Sequence, residues 1–122
     1  MKKYHIQNYV RWKHDMAAAL AKLPDVPYQE LNRNQLITKF LPLVENLARK
    51  FSTAQQASGV MSIMDILQEG NYGLCAGVDR IDWDTILASK DQEKTIKSFL
   101  SKRIKGAIRR GIDSNRGSMR IP

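Results

Sequence analysis

One stretch decides the fold of this 122-residue chain: Asp65-Ile66-Leu67-Gln68-Glu69-Gly70-Asn71-Tyr72-Gly73-Leu74. Apolar residues recur in and around it at helical spacing and predict a helix with one buried face: Ile63, Ile66, Leu67, Leu74, Val78 and Ile81. The opposite face carries mainly acidic and amide side chains: Asp65, Gln68, Glu69, Tyr72 and Asp79. Ser62, three residues before Asp65, is typical of a capping box and predicts where the helix begins.

Three glycines, Gly70, Gly73 and Gly77, lie inside this predicted helix. Each costs roughly 0.5–1 kcal/mol of helix stability relative to alanine, because glycine loses more backbone freedom on folding. Such a loss at three positions indicates that another backbone packs very close to the helix. Periodicity alone is also satisfied by an ordinary amphipathic helix whose polar face meets only water.

The rest of the chain also predicts helices, and no stretch alternates with the period of two that a half-buried strand shows. Helices are predicted from Tyr4 to about Leu23, from near Gln29 or Asn34 to Phe51 with a kink or restart at Pro42, and from about Glu93 to Ser114. Breaks are predicted as a loop from Ser52 to Gly59, a linker starting at Asp82-Trp83-Asp84, and a C-terminal stop at Asn115-Arg116-Gly117-Ser118.

The predicted fold is therefore all-α, a compact bundle of about four helices. Residues 1–30 are expected to form an N-terminal helix and a proline-bounded linker, and residues 31–122 the main helical domain. The length is sufficient for one domain with its own core, which needs no disulfide or metal.

Cysteine content and hydropathy bear on the compartment. The single cysteine, Cys75, excludes an internal disulfide and fits a reducing environment. Met1-Lys2-Lys3 is followed by polar residues rather than by the apolar segment of a signal peptide. The longest apolar run, Met16 to Ala21, is far too short to span a membrane. We therefore expect a cytoplasmic protein without a membrane partner.

Positive charge is concentrated near the C-terminal end of the sequence. Residues 94–120 contain nine cations and one anion, Asp113, a local charge of +8 that equals the net charge of the whole chain. A membrane surface or an acidic protein is compatible with such a footprint, but nucleic acid is its commonest partner.

No set of residues with catalytic spacing stands out. His5 and His14 lack a carboxylate or cysteine at metal-ligand spacing, and the glycines lie in a helix rather than in a phosphate-binding loop. Asp65 and Glu69, four residues apart on an exposed helical face, fit a solvated or docking surface better than an acid–base pair. The sequence therefore predicts neither an enzyme nor a bound metal or cofactor.

The last predicted helix separates apolar from basic residues. At about 100° per residue, small and apolar residues share one side: Ile96, Leu100, Ile104, Ala107 and Gly111. Cations lie on the other side: Lys102, Arg103, Arg109 and Arg110. Phe99 projects toward these cations, an arrangement that suits single-stranded DNA because the ring stacks on a base while the cations hold phosphates. The alternative is that Phe99 merely borders the core.

The central segment resembles the signature of bacterial RNA polymerase sigma factors of the sigma-70 family, within their second conserved region. The flanks resemble the same family: Gln35 to Phe51 upstream, Val78 to Asp82 downstream, and Arg120-Ile121-Pro122 at the close of the DNA-reading helix. Family apolar positions are also matched without a gap by Ile104, Ala107, Ile108 and Ile112. The resemblance covers residues from about 33 to 122.

The resemblance implies the fold of the sigma domain that binds core polymerase and recognises the −10 element, together with two sets of site residues. The first set would bind the clamp coiled coil of the host RNA polymerase core: Asp65, Gln68, Glu69, Asn71, Tyr72 and Cys75. The second set would bind promoter DNA, including the single non-template strand: Lys97, Phe99, Lys102, Arg103, Lys105, Arg109, Arg110 and Arg120. Phe99 falls where the family carries the aromatic residue that receives the flipped adenine of the −10 element.

The chain also departs from the family. Lys102-Arg103 replace the tryptophan pair that props open the upstream edge of the bubble, and Gly106 and Arg109 replace the polar pair that reads the adjacent duplex. We therefore expect promoter melting to rely more on Phe99 and on charge. This minimal build, with the sequence ending at Pro122, resembles the late sigma factors of T-even-like tailed phages.

These observations predict a minimal, phage-encoded sigma factor that directs the host polymerase to late promoters in the bacterial cytoplasm, associated with the nucleoid. A phage co-activator is a candidate further partner. Two other functions fit the same residues. One is a polymerase-binding inhibitor, or decoy, that occupies the sigma site without opening promoters. The other is a free-standing basic DNA-binding regulator that works without polymerase.

Overall fold

The computed structural model describes the backbone of residues 2–53 and 61–120, and the side chains of residues 7–53 and 61–115. Every regular secondary-structure element in these residues is a helix, which confirms the all-α prediction. The α-helices are α1 (Lys2–Ala21), α2 (Arg33–Lys39), α3 (Leu41–Thr53), α4 (Ile63–Val78), α5 (Trp83–Ala88) and α6 (Gln92–Arg120). A short 3₁₀ helix (Tyr28–Glu30) precedes α2.

The second predicted helix is two helices, because the chain restarts at Phe40. The N–H of Phe40 closes α2 by donating to the carbonyl of Leu36, and the carbonyl of Phe40 opens α3 by accepting from the N–H of Leu43. Pro42 lies in the first turn of α3, where a missing N–H leaves no helical hydrogen bond unmade. The restart predicted at Pro42 is therefore confirmed.

The predicted linker at Asp82-Trp83-Asp84 is wrong, because these residues begin α5. The carboxylate of Asp82 caps this helix by accepting from the backbone N–H of Asp84 at 3.2 Å and from the hydroxyl of Thr85 at 2.8 Å. Ile86 is buried and holds the short helix against the rest of the protein. The restart at Phe40 and the extra helix α5 raise the number of described α-helices from the expected four or so to six.

The predicted helix stop at Asn115-Arg116-Gly117-Ser118 is also wrong, since the backbone of α6 stays helical to Arg120. The side-chain amide of Asn115 donates to the carbonyl of Gly111 at 2.8 Å, which satisfies a helical acceptor from within the helix instead of ending it. The loop predicted from Ser52 to Gly59 is wrong for Ser52 and Thr53, which form the last turn of α3. The rest of that loop, residues 54–60, lies outside the described residues.

The core centres on α4 and α6. The capping box at the start of α4 is present in both directions, with the Asp65 N–H donating to the Ser62 hydroxyl and the Ser62 N–H donating to the Asp65 carboxylate. The largest fully buried side chains come from α3, α4 and α6: Val44, Ile66, Leu74, Ile96, Leu100, Ile104 and Ile108. The predicted buried faces of both long helices are therefore confirmed.

Gly73 marks the closest approach of α4 to α6. A Cβ atom added at Gly73 would lie 2.7 Å from the carbonyl oxygen of Arg103 and 3.0 Å from the Cα of Ile104. At Gly70 and Gly77 the corresponding short contacts are with side chains alone. The prediction that another backbone packs very close to the central helix is confirmed, and that backbone belongs to α6.

Helix α1 is attached through one buried carboxylate. The hydroxyl of Tyr9 donates a 2.8 Å hydrogen bond to Glu45 of α3, and the Lys13 ammonium lies 3.6 Å from the same carboxylate. Burial, and then the hydrogen bond to Glu45, raise the pKa of Tyr9 to about 12. Trp12 adds apolar contact to the core beside this pair. Helix α1 is therefore held against the core to which α4 contributes.

The Gly73 contact predicts opposite effects for alanine at two glycines of this helix pair. Gly73→Ala should lower the free energy of unfolding by about 1–3 kcal/mol, because the added methyl overpacks against backbone that cannot move aside cheaply. Gly106→Ala should raise it by about 0.5–1 kcal/mol, because its Cβ would meet only the flexible end of Arg110. Urea denaturation of both variants tests this; equal effects would contradict the role assigned to Gly73.

Candidate nucleic-acid interface and docking surface

A groove of about 540 Å³ runs between α4 and α6, and we call it the α4–α6 groove. It is lined by Tyr72, Gly73 and Ala76 of α4, by Arg80 of the turn that follows α4, and by Phe99, Lys102, Arg103, Gly106 and Arg110 of α6. Two aromatic rings and four cations line it, and no acid does. Exposed rings beside cations are the composition that binds unpaired nucleotides, because bases stack on the rings and phosphates pair with the cations.

Phe99 lies in this groove under a guanidinium group. Its ring is half-buried and packs against the core, and the guanidinium carbon of Arg103 lies 4.4 Å from the ring centroid. This is a cation–π contact, and it covers one face of the ring. The Nε atom of Arg103 is buried and has no hydrogen-bond partner among the described residues. The ring therefore both borders the core and belongs to the basic face.

The structure brings together only some of the residues predicted to bind DNA. Phe99, Lys102, Arg103 and Arg110 share the α4–α6 groove. Arg109 turns away from it, and its guanidinium carbon lies 5.8 Å from the ring centroid of Phe51 in α3. The basic residues of α6 therefore spread over more than one side of the helix.

Lys97, Lys105 and Arg120 also lie apart from the groove or outside the described side chains. Lys97 is roughly 160° around the helix from Phe99, and its ammonium pairs with Glu93 at 3.3 Å. Lys105 is half-buried and does not line the groove. Arg120 is the last residue of α6, and its side chain lies outside the described residues.

The residues predicted to dock on polymerase divide among three places. Asp65 and Gln68 are exposed and line a second groove, between α4 and α1, that we call the α1–α4 groove. The α1 side of it is formed by Asn8, Arg11, Trp12 and Asp15. A partner that reaches Gln68 therefore also meets α1, a helix to which the sequence assigned no role.

Glu69 belongs to the contact between α4 and α6. It is half-buried, and a Cβ atom added at Gly111 of α6 would lie 2.7 Å from its Cγ and 3.1 Å from its Oε2. The Glu69 side chain thus lies across a glycine of the facing helix. Substitution of Glu69 would disturb packing as well as charge, so this residue is a poor probe of docking.

The other predicted docking residues differ in exposure. Asn71 is exposed, Cys75 is half-buried with a free thiol, and Tyr72 stands in the α4–α6 groove rather than beside Gln68. Asp79 lies at the end of the same polar face. Its carboxylate accepts two hydrogen bonds from the guanidinium of Arg33 in α2. The hydrogen bonds from Arg33 lower the pKa of the Asp79 carboxyl.

Sequence reasoning missed Arg80 as a residue of the basic groove. Arg80 follows Tyr72 and Ala76 at intervals of four, the spacing of residues on one side of a helix. That spacing was a usable signal, although α4 ends at Val78 and Arg80 lies in the turn that follows it. The groove therefore receives a cation from the α4 side as well as from α6.

The fold and its grooves define a small all-α protein with a basic, aromatic cleft beside an acidic and amide-bearing surface. No family model, curated protein or solved structure matches the chain. Among the helices described, none has the length and apolar character needed to cross a membrane. Within the described side chains, no three His, Cys, Asp or Glu residues are grouped so that they would hold a metal ion.

The groove predicts a salt dependence that follows its cations. Arg110→Ala should lower the steepness of the log–log dependence of duplex DNA affinity on salt by about 0.9, because one phosphate contact is lost. Lys39→Ala removes an equally exposed cation from α2, outside the groove, and should leave that slope unchanged. Fluorescence anisotropy titrations at several salt concentrations measure both. Equal slopes for the two variants would place the DNA contact elsewhere.

Proposed function

We propose that this protein is a minimal, phage-encoded sigma factor. It binds the core of the host RNA polymerase in the bacterial cytoplasm and directs it to late promoters with a −10-like element. The observation that carries this proposal is the segment Asp65 to Leu74, whose wording resembles the sigma signature. Its exposed polar residues and one wall of the basic groove belong to the same helix, α4. A single small domain then presents a protein-binding surface and a DNA-binding surface.

The docking half of the proposal rests on Asp65 and Gln68. Both are exposed and open to a partner in the α1–α4 groove. The groove is lined by two acids, Asp15 and Asp65, and by one cation, Arg11. Its net charge is therefore negative, whereas the net charge of the whole chain is positive. An arginine-rich helical arm of the polymerase clamp would find charge-assisted hydrogen-bond partners there.

The DNA half of the proposal rests on the α4–α6 groove and on the +8 charge of residues 94–120. Charge holds phosphates of any sequence, and an aromatic residue captures a base only after it leaves the duplex. The two effects together favour opened over closed promoter DNA. They do not require the family's tryptophan pair, which this chain replaces with Lys102 and Arg103.

Run-off transcription with purified host core polymerase tests the proposal directly. Promoter-dependent transcripts that need the added protein are the expected result. Suppressed initiation that is never replaced by specific initiation would instead identify an inhibitor, a function favoured by the coverage of Phe99 by Arg103. Duplex binding without any binding to polymerase would identify a free-standing regulator. A requirement for a phage extract would identify a co-activator as a further partner.

The docking surface predicts a defect that is specific to polymerase binding. Gln68→Lys should abolish co-purification with core polymerase, because a cation replaces an exposed amide in an acidic groove that receives a basic partner. DNA affinity and the helical circular-dichroism signal should stay unchanged, since Gln68 makes no contact with the core.

Gln29→Lys provides the matched control for this test. It introduces the same charge change at an exposed position of the 3₁₀ helix, outside both grooves. Its binding to core polymerase should equal that of the unsubstituted protein. Retained binding by Gln68→Lys, or equal losses in both variants, would remove the docking surface from the α1–α4 groove.

The base-capture step predicts a defect in promoter opening. Phe99→Ala should leave polymerase binding and closed complexes nearly intact and weaken opening by roughly 1–3 kcal/mol, the contribution of one stacked base. A template with a pre-melted bubble should restore most of the transcription. Permanganate footprinting of unpaired thymines measures opening independently of transcript yield.

Because Phe99 also packs against the core, Phe99→Leu serves as a control that keeps apolar volume and removes the aromatic face. The opening defect should be shared by the two variants, whereas any loss of thermal stability should be larger for alanine. An unfolded alanine variant together with a fully active leucine variant would show that Phe99 is a packing residue only.

A further inference from the structure

Tyr72 is an aromatic residue without a structural role that explains its position. Its side chain is 71% exposed, the largest value among the exposed large apolar residues of the described chain. Its hydroxyl has no hydrogen-bond partner among the described residues. Burying such a ring is favourable, and little of that stabilisation is realised in the isolated protein. The ring is available to a ligand.

The neighbourhood of Tyr72 indicates what kind of ligand that is. It lines the α4–α6 groove with Arg80, Lys102, Arg103 and Arg110, and the groove contains no acid. An acidic or phosphate-bearing ligand is therefore favoured over a cationic one. A basic protein surface, such as an arginine-rich polymerase arm, would be repelled from these four cations.

Phe99, the other ring of the groove, is less accessible than Tyr72. Arg103 lies over one face of its ring at 4.4 Å, and the half-buried ring also packs against the core. A base that enters the groove meets the exposed ring of Tyr72 and the guanidinium plane of Arg103 before it can reach Phe99. Both surfaces stack on bases.

Arg103 lines the groove and has one N–H donor that makes no hydrogen bond within the described part of the chain. Its Nε atom is buried without an acceptor among the described residues. A buried charged donor without a partner is costly, and the hydrogen bonds that such donors make with phosphate or carbonyl oxygens are among the stronger ones. An incoming nucleotide supplies acceptors of both kinds, and it reaches Nε when the side chain of Arg103 shifts toward the groove.

We propose that Tyr72 of α4, Arg80 of the turn that follows α4, and Arg103 of α6 form a binding site for one unpaired nucleotide of single-stranded DNA. The base stacks on Tyr72, Arg80 pairs with a backbone phosphate, and the guanidinium of Arg103 donates to an acceptor on the nucleotide. This inference rests on the proposed function and deepens it. It assigns Tyr72 and Arg80 to DNA, and it moves Tyr72 from the expected polymerase surface to the DNA surface.

Comparing the affinities for single-stranded and duplex DNA separates the contribution of the Tyr72 ring from that of the cations. In a duplex each base is already stacked on its neighbours, so Tyr72 has nothing to gain there. Tyr72→Ala should weaken binding of a single-stranded oligodeoxynucleotide about tenfold, equivalent to 1.4 kcal/mol, and leave duplex affinity unchanged. Arg80→Gln should weaken both, and reduce the steepness of the salt dependence for the single strand by about 0.7.

The experiment uses the full chain and an oligodeoxynucleotide that carries a fluorescent adenine analogue, whose emission is quenched on stacking. Quenching should occur with the unsubstituted protein and with Tyr72→Phe, which keeps the ring, and should be lost with Tyr72→Ala. Leu87→Ala is the matched surface control, since Leu87 is 49% exposed on α5 and does not line the groove. Because Tyr72 is highly exposed, its substitution should leave the fold intact, and circular dichroism checks this.

Binding of each variant to core polymerase is measured in parallel. Unchanged quenching and unchanged single-strand affinity in Tyr72→Ala would overturn the inference, and a simultaneous loss of polymerase binding would show that Tyr72 is a polymerase contact. Failure of the proposed function has a different signature. The unsubstituted protein would then neither bind core polymerase nor support transcription, while the effect of Tyr72→Ala on single-stranded DNA would persist.

Discussion

The contact between the backbones of α4 and α6 at Gly73 is the constraint on which the rest of the structure depends. With no side chain at that position, the carbonyl of Arg103 and the Cα of Ile104 approach α4 to distances that a methyl group would not permit. Close approach lets the branched residues of α6 interdigitate with α4 and complete the core. It also sets the depth of the α4–α6 groove, because the residues that flank the contact become its walls.

The same contact keeps two surfaces of opposite character apart on one small domain. Tyr72 of α4 and Arg80 of the following turn face the basic groove, whereas Asp65 and Gln68 face α1. Glu69 lies between them, across Gly111 of α6. Under the proposed function, a basic partner and a phosphate-bearing partner would bind these two surfaces without competing.

Arg103 shows how local packing limits what a functional residue can do. Its guanidinium stabilises the protein by stacking on Phe99, while its Nε remains without a hydrogen-bond partner. Stacking of a base directly on the covered face of Phe99 would require Arg103 to leave, which offsets part of the gain. An exposed ring such as Tyr72 carries no such cost.

The sequence by itself determined the helical fold class, the buried faces of α4 and α6, the capping box at Ser62, the close approach at the glycines and the concentration of charge in residues 94–120. These features depend on spacing along one helix or on composition, both of which are local. Tertiary structure alone decided that Tyr72 shares a groove with Phe99 while Arg109 lies against Phe51. Which side chains of two helices meet is fixed by their relative rotation and distance, and these are set by packing at Gly73 and Gly111 rather than by the periodicity of either helix.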